Sequence, residues 1–144
     1  MKYKLLILLL VFIFGFFFMS HLKAEIIINE NIFNTDVVVF QWDKSKGLGG
    51  KKELKDNEGM LFFYFNKDIK YFWMKDMKFP IDILWVDGNR IVNISENILV
   101  YTNKEITKMS SVYSVDKVVE LKAGTVSKYG IKIGDEAMIK YKLK

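Results

Sequence analysis

GMLFFYFNKDIKYFWMKDMKFPIDILWVD, residues Gly59 to Asp87, is the stretch whose reading decides the fold. It holds Trp73 and Trp85, two of the chain's three tryptophans, and the only proline, Pro80. Aromatic and β-branched residues fit a pleated, half-buried surface, so the three apolar runs read as strands over 60–65, 70–75 and 81–86. Two breaks separate them. Asn66-Lys67-Asp68 is polar and turn-like, and Phe79-Pro80 forces an extended conformation on the residue before the proline.

Working outward, Asp87-Gly88-Asn89 stands between ILWV and IVNIS, and Asp-Gly between alternating apolar runs predicts a hairpin. Upstream, residues 25–33 alternate around a polar break at Asn29–Asn31, and VVVFQW, 37–42, reads as a strand. Residues 43–58 are rich in Lys, Gly and acid, and contain Gly47-Leu48-Gly49-Gly50. That run lacks the spacing of a phosphate-binding loop and reads as a flexible solvated segment, with a helical turn near 51–55. Downstream, 98–102 reads as a short strand, 103–111 as a surface loop and 115–121 as a strand. One helical turn is expected over 125–129, with Thr125 as N-cap and Gly130 as the left-handed stop, and a last strand over 137–141. No long amphipathic helix is visible. The expected class is mostly β: an antiparallel β-sandwich or barrel-like single domain with short helical turns.

The amino terminus has its own pattern. Met1-Lys2-Tyr3-Lys4 is a short basic segment, Leu5 to Met19 carries no charge, and Ser20-His21-Leu22-Lys23-Ala24 follows. This is the layout of a secretory signal. Cleavage after Ala24 puts a small residue at the last position, although Leu22 matches poorly two places earlier, so a retained anchor is the alternative. Both place residues 25–144 as a β domain outside the cytoplasm, touching membrane only through residues 5–19 if uncleaved. Removing 1–24 takes away Lys2, Lys4 and Lys23 and no acid, which leaves 19 of the 22 basic residues against 17 acids. So small a surplus makes no electrostatic case for nucleic acid.

The chain has no cysteine, and its single histidine, His21, lies in the leader. A mature domain so composed has no Ser-His-Asp or Cys-His nucleophile system and no thiolate or imidazole metal site. No cofactor is expected. Oxygen-only coordination by Asp76, Asp82 or Asp135 lacks any spaced calcium loop.

Gly59-Met60-Leu61-Phe62, then Phe72-Trp73-Met74-Lys75-Asp76, then Pro80-Ile81-Asp82-Ile83 resemble the hallmark of the domain-of-unknown-function family 192, small bacterial and archaeal proteins that are often exported. Val119-Glu120-Leu121, Ala123-Gly124, Gly130-Ile131 and Gly134-Asp135 extend the resemblance, which runs from Val37 to the carboxyl end. Three features depart from the family pattern. Gly47-Leu48 continues with Gly49-Gly50-Lys51 rather than Met and Arg, Asp76-Met77 replaces Asn-Thr, and the loop before the Glu-Leu strand has no proline. The resemblance implies a compact β-sandwich or barrel-like domain and no particular activity.

The polar candidates are Lys75, Asp76, Asp82, Glu120 and Asp135, with Tyr71 and Trp73 sharing a face with Lys75 by strand alternation. Asp82 falls among Leu84 and Val86, so it must be paired, solvated or at a strand end. If the neighbouring strands pair, Asp82 approaches Lys75 or Asp76 and forms a ligand pocket. The blander reading makes these acids backbone caps around the Phe79-Pro80 corner. Most of the aromatics are expected in the core. Function is accordingly read as binding of a small ligand or an envelope protein. The competing readings are a small hydrolase using Asp76, Asp82 and Glu120 as paired carboxylates, and an envelope-stability module with no ligand site.

Overall fold

The computed structural model describes residues 2–19, 22–102 and 104–142; His21 lies outside them. Lys2–Met19 forms helix α1, and among the described residues no helix is long and apolar enough to cross a membrane. The chain then enters β1 (Lys23–Ile28), turns at Asn29-Glu30 and returns as β2 (Asn31–Val38). A short helix, α2 (Gln41–Lys46), leads through a long loop into β3 (Glu58–Asp68). There follow β4 (Tyr71–Trp73), β5 (Ile81–Asp87), β6 (Arg90–Ile98), β7 (Tyr101–Thr102), β8 (Glu105–Ile106), β9 (Lys108–Ser110), β10 (Val115–Lys122), α3 (Thr125–Tyr129) and β11 (Met138–Lys142).

Seven strands make one sheet in the order β11-β1-β2-β3-β10-β5-β6, with two small ribbons, β4-β9 and β7-β8, beside it. The expected mostly-β class holds, but not the antiparallel sandwich or closed barrel. The sheet is mixed: β2 and β3 run parallel, from Asn34 beside Glu58 to Val38 beside Phe62. Parallel neighbours need a crossover rather than a hairpin. Residues 39–57 supply it, and α2 occupies the place where the VVVFQW run was expected to stay extended. The strand stops at Val38 and Gln41 opens the helix.

Other boundaries move for local reasons. β3 runs straight through Asn66-Lys67-Asp68, because Asp68 pairs with Val115 and Lys67 forms an ion pair with Asp87. Lys51–Lys55 contains no helical turn. The expected surface loop at 103–111 contains β8 and β9, the latter pairing Tyr71 with Ser110. The Asp87-Gly88-Asn89 hairpin forms as read, with Asp87 opposite Arg90.

The two faces of the sheet bury different cores. Along β10, Glu120 pairs with Met60 and Ile83, whereas Leu121 pairs with Gly59 and Asp82. Paired residues share a face and neighbours alternate. One core therefore gathers Leu61, Leu84, Val86, Val119, Leu121 and Val126 with Ile26, Ile28 and Phe33. The other gathers Met60, Phe62, Ile81, Ile83, Trp85 and Val118 with Leu48 and Met74. On that second face Phe62, Phe72 and Trp85 meet edge to face, at 4.9 and 5.6 Å between centroids, the geometry aromatic quadrupoles prefer. The Trp85 Nε1–H donates to Ser95 Oγ at 3.0 Å, so the buried indole leaves no donor unmet.

Candidate functional site

Of the two acids that alternation placed on β5 and β10, Asp82 is spent on the fold. It is fully buried. Its Oδ1 accepts the Asn97 N–H at 2.7 Å and its Oδ2 accepts the Val126 N–H at 2.9 Å. Asp82 thus binds the start of α3 from a neighbouring strand. Thr125 was expected to cap this helix, but the N-cap is Gly124, in the left-handed region and with no side-chain cap. The expected approach of Asp82 to Lys75 or Asp76 does not occur, because β4 pairs with β9 and not with β5. Asp135 is also a structural group: it accepts from Asn29 Nδ2 and from the Lys132 N–H, both at 2.8 Å. Asp76 is exposed at φ 59°, with its carbonyl accepting the Gly50 N–H at 2.9 Å.

Glu120 is different. It is 5% exposed, and its Oε2 is buried with no hydrogen-bond partner among the described residues. Leaving such an atom unpaired is costly. Loss of hydration disfavours the ionised form, and burial pushes the carboxyl up to about 8. At neutral pH Glu120 is a neutral acid, able to donate one hydrogen bond as well as accept.

Glu120 lines a cleft of about 450 Å³ together with Phe62, Tyr64, Tyr71, Trp73 and Lys75. The remaining wall comes from α2 and the loop after it (Gln41, Lys44, Gly47, Leu48), and from Lys108 and Met109 of β9. Most of the segment 43–58 is exposed, as expected, but its Gly47-Leu48-Gly49 part packs against the sheet. Leu48 is 1% exposed, and Gly47 adopts φ 50° where an added Cβ would stand 3.2 Å from the Phe62 ring and 3.8 Å from Glu120 Oε2. At Gly49 a Cβ would lie 2.7 Å from the Lys46 carbonyl oxygen, too close for any side chain. Glycine lets the loop backbone approach Phe62 and the acid this closely.

The electrostatics are cationic above and neutral below. Lys44 Nζ lies 3.9 Å and Lys70 Nζ 4.3 Å from the centroid of the Tyr64 ring. Burial, with repulsion from Lys70, lowers Lys44 to about 8. Burial, with the nearby Glu120, raises the Tyr64 phenol to about 12. Lys75 Nζ stands 5.7 Å over the Trp73 ring. Tyr71 and Trp73 turn outward, 80% and 51% exposed, while Met74 beyond them is buried.

The structure therefore brings Lys75, Tyr71, Trp73 and Glu120 to one cleft and leaves Asp76, Asp82 and Asp135 out of its lining. Asp82 and Glu120 face opposite sides of the sheet, so the paired-carboxylate arrangement is not formed. Among the described residues no cluster of three or more His, Cys, Asp or Glu is placed to hold a metal ion. Sequence reading missed Lys44, Leu48 and Lys108, which lie outside the aromatic strands; Tyr64 sits two residues beyond Phe62 on the same face of β3.

A profile of the family DUF192, described as an uncharacterised ancient conserved region, matches residues 24–139. No curated protein matches the chain. Among solved structures, one from Sinorhizobium meliloti, described as a candidate transcription regulator, is similar with a TM-score of 0.73 and 24% identity, over 83% of this chain and 92% of the other. A protein of unknown function from Novosphingobium aromaticivorans is similar with a TM-score of 0.71 and 26% identity, over 82% and 83%.

Proposed function

We propose that this chain, which belongs to the DUF192 family, is a small-molecule-binding domain whose site is the cleft floored by Glu120. One observation carries the reading: a carboxyl oxygen buried at the base of an open cleft with no partner among the described residues. Folding tolerates such a group where a bound molecule completes its hydrogen bonds. The surroundings support it. The lining mixes apolar and aromatic side chains with Gln41, Ser45, four lysines and Glu120, and its volume suits a small ligand. The uncharged run Leu5 to Met19 behind a basic start supports placing the domain at the cell envelope, as a secreted or tethered module.

The test is a thermal-shift screen of the full-length chain against sugars, organic acids, nucleotides and divalent ions, beside Trp73→Ala and Glu120→Gln. Half of the Trp73 surface is already exposed, so its removal leaves the core intact. A ligand at a hundred times its Kd adds roughly 2.7 kcal/mol to the native state. The expected result is a rise in Tm that Trp73→Ala reduces and whose dependence on pH Glu120→Gln alters. A screen with no shift, or shifts that persist unchanged in both variants, contradicts the assignment.

A further inference from the structure

Resting on that reading, we infer that the ligand is an anionic sugar unit, a pyranose bearing a carboxylate or a phosphate. Three features of the cleft fit three parts of such a molecule. The mouth carries Lys44, Lys46, Lys75 and Lys108, while Glu120 is the one acid among the described lining residues. A cationic ligand meets repulsion there and an anion does not. Trp73 and Tyr71 expose flat aromatic surface at the same mouth, and the C–H face of a pyranose packs on such a ring. The floor presents a neutral carboxyl group, which both donates and accepts and so suits a hydroxyl, itself donor and acceptor.

Neither an aromatic acid nor a neutral sugar uses all three. An aromatic carboxylate satisfies the lysines and the aromatic wall but offers nothing to Glu120, and an uncharged sugar leaves the lysines idle. The neighbouring groups fix the pH behaviour as well. Facing the cleft are Glu120 from β10, Tyr64 from β3, Lys44 and Lys46 from α2, Tyr71 and Lys75 from β4 and the turn after it, and Lys108 from β9, with Lys70 against Tyr64. Raising the pH through about 8 both ionises Glu120 and discharges Lys44. Each change weakens anion binding.

Isothermal titration of the full-length chain decides the matter, with glucuronate, glucose 6-phosphate, glucose and benzoate as probes at pH 6.5 and pH 9.5. Glucuronate or glucose 6-phosphate binds at least about tenfold more tightly than glucose or benzoate at pH 6.5, and about tenfold more weakly at pH 9.5, each factor equivalent to about 1.4 kcal/mol. Whichever of the two anions binds better identifies the acidic group as carboxylate or phosphate. Trp73→Ala and Lys75→Ala each weaken that binding, and Glu120→Gln removes the part of the pH dependence that belongs to the floor. Equal binding of glucose or benzoate in the same cleft leaves a ligand site but overturns the anionic-sugar assignment. No binding of any probe overturns the assignment too, and together with a silent thermal-shift screen it overturns the site.

Discussion

The two faces of the central sheet treat an acid in opposite ways. On one face Asp82 is fully buried and both carboxyl oxygens accept backbone N–H groups, from Asn97 and Val126. On the other, one register step away across β5 and β10, Glu120 is almost as deeply buried and its Oε2 accepts nothing among the described residues. The first face is closed over by α3 and the turns around it, and the second by a glycine-dependent loop that stops short of sealing. Burying an acid is expensive on either side. Where the protein supplies the partners, the acid is structural. Where it withholds them beside an open cleft, the acid is available to a ligand.

Removing each acid sharpens that contrast. Asp82→Ala strands two N–H groups and loosens the start of α3, and we expect it to cost about 3 kcal/mol in denaturant unfolding. Glu120→Gln strands no donor of the protein and should unfold no earlier than wild type at neutral pH. A large loss from Glu120→Gln, or none from Asp82→Ala, breaks the comparison.

A smaller effect tests how fully the first face is sealed. Leu22 accepts the Val37 N–H at 2.9 Å, the Ala24 carbonyl accepts Thr35 Oγ1 at 2.9 Å, and the Ala24 side chain is 2% exposed in the core. A chain beginning at Glu25 should therefore be less stable than one beginning at Leu22, by about 2 kcal/mol for two hydrogen bonds and the buried methyl. Equal stability, by the same unfolding measurement, makes the first strand turns dispensable.

Much of this fold was legible, and the exceptions have causes. Strands β5 and β10 and the hairpin after Asp87 were set by local alternation and by Gly88-Asn89 chemistry, which sequence displays directly. The same alternation correctly put Asp82 with Leu84 and Val86, opposite Ile81, Ile83 and Trp85. What alternation does not encode is which strands meet. The parallel β2–β3 pairing depends on the crossover through α2, and β4 finds β9 from 37 residues away in the Tyr71–Trp73 to Lys108–Ser110 ladder. The cleft inherits that limit. Tyr71, Trp73 and Lys75 stood together in sequence, whereas Lys44, Lys108 and Glu120 join them only through long-range pairing. The close approach at Gly47 and Gly49 was not legible for a related reason, since glycine signals freedom in a solvated turn and close approach in a packed one.

The central claim is that Glu120 is a neutral acid held buried at the cleft floor with Oε2 unpartnered among the described residues, and the carbon-13 titration of its side-chain carboxyl in the full-length chain tests it most directly. The native group is displaced upward from its ordinary value of 4.5. The folded state thus holds a proton that the unfolded chain releases, and stability falls as pH rises from about 4.5 to about 8. We predict a midpoint near 8 that moves when a cleft ligand is added. A midpoint near 4.5, unmoved by any ligand, would mean that Glu120 is hydrated or paired like an ordinary surface acid, and the account of the cleft would fail.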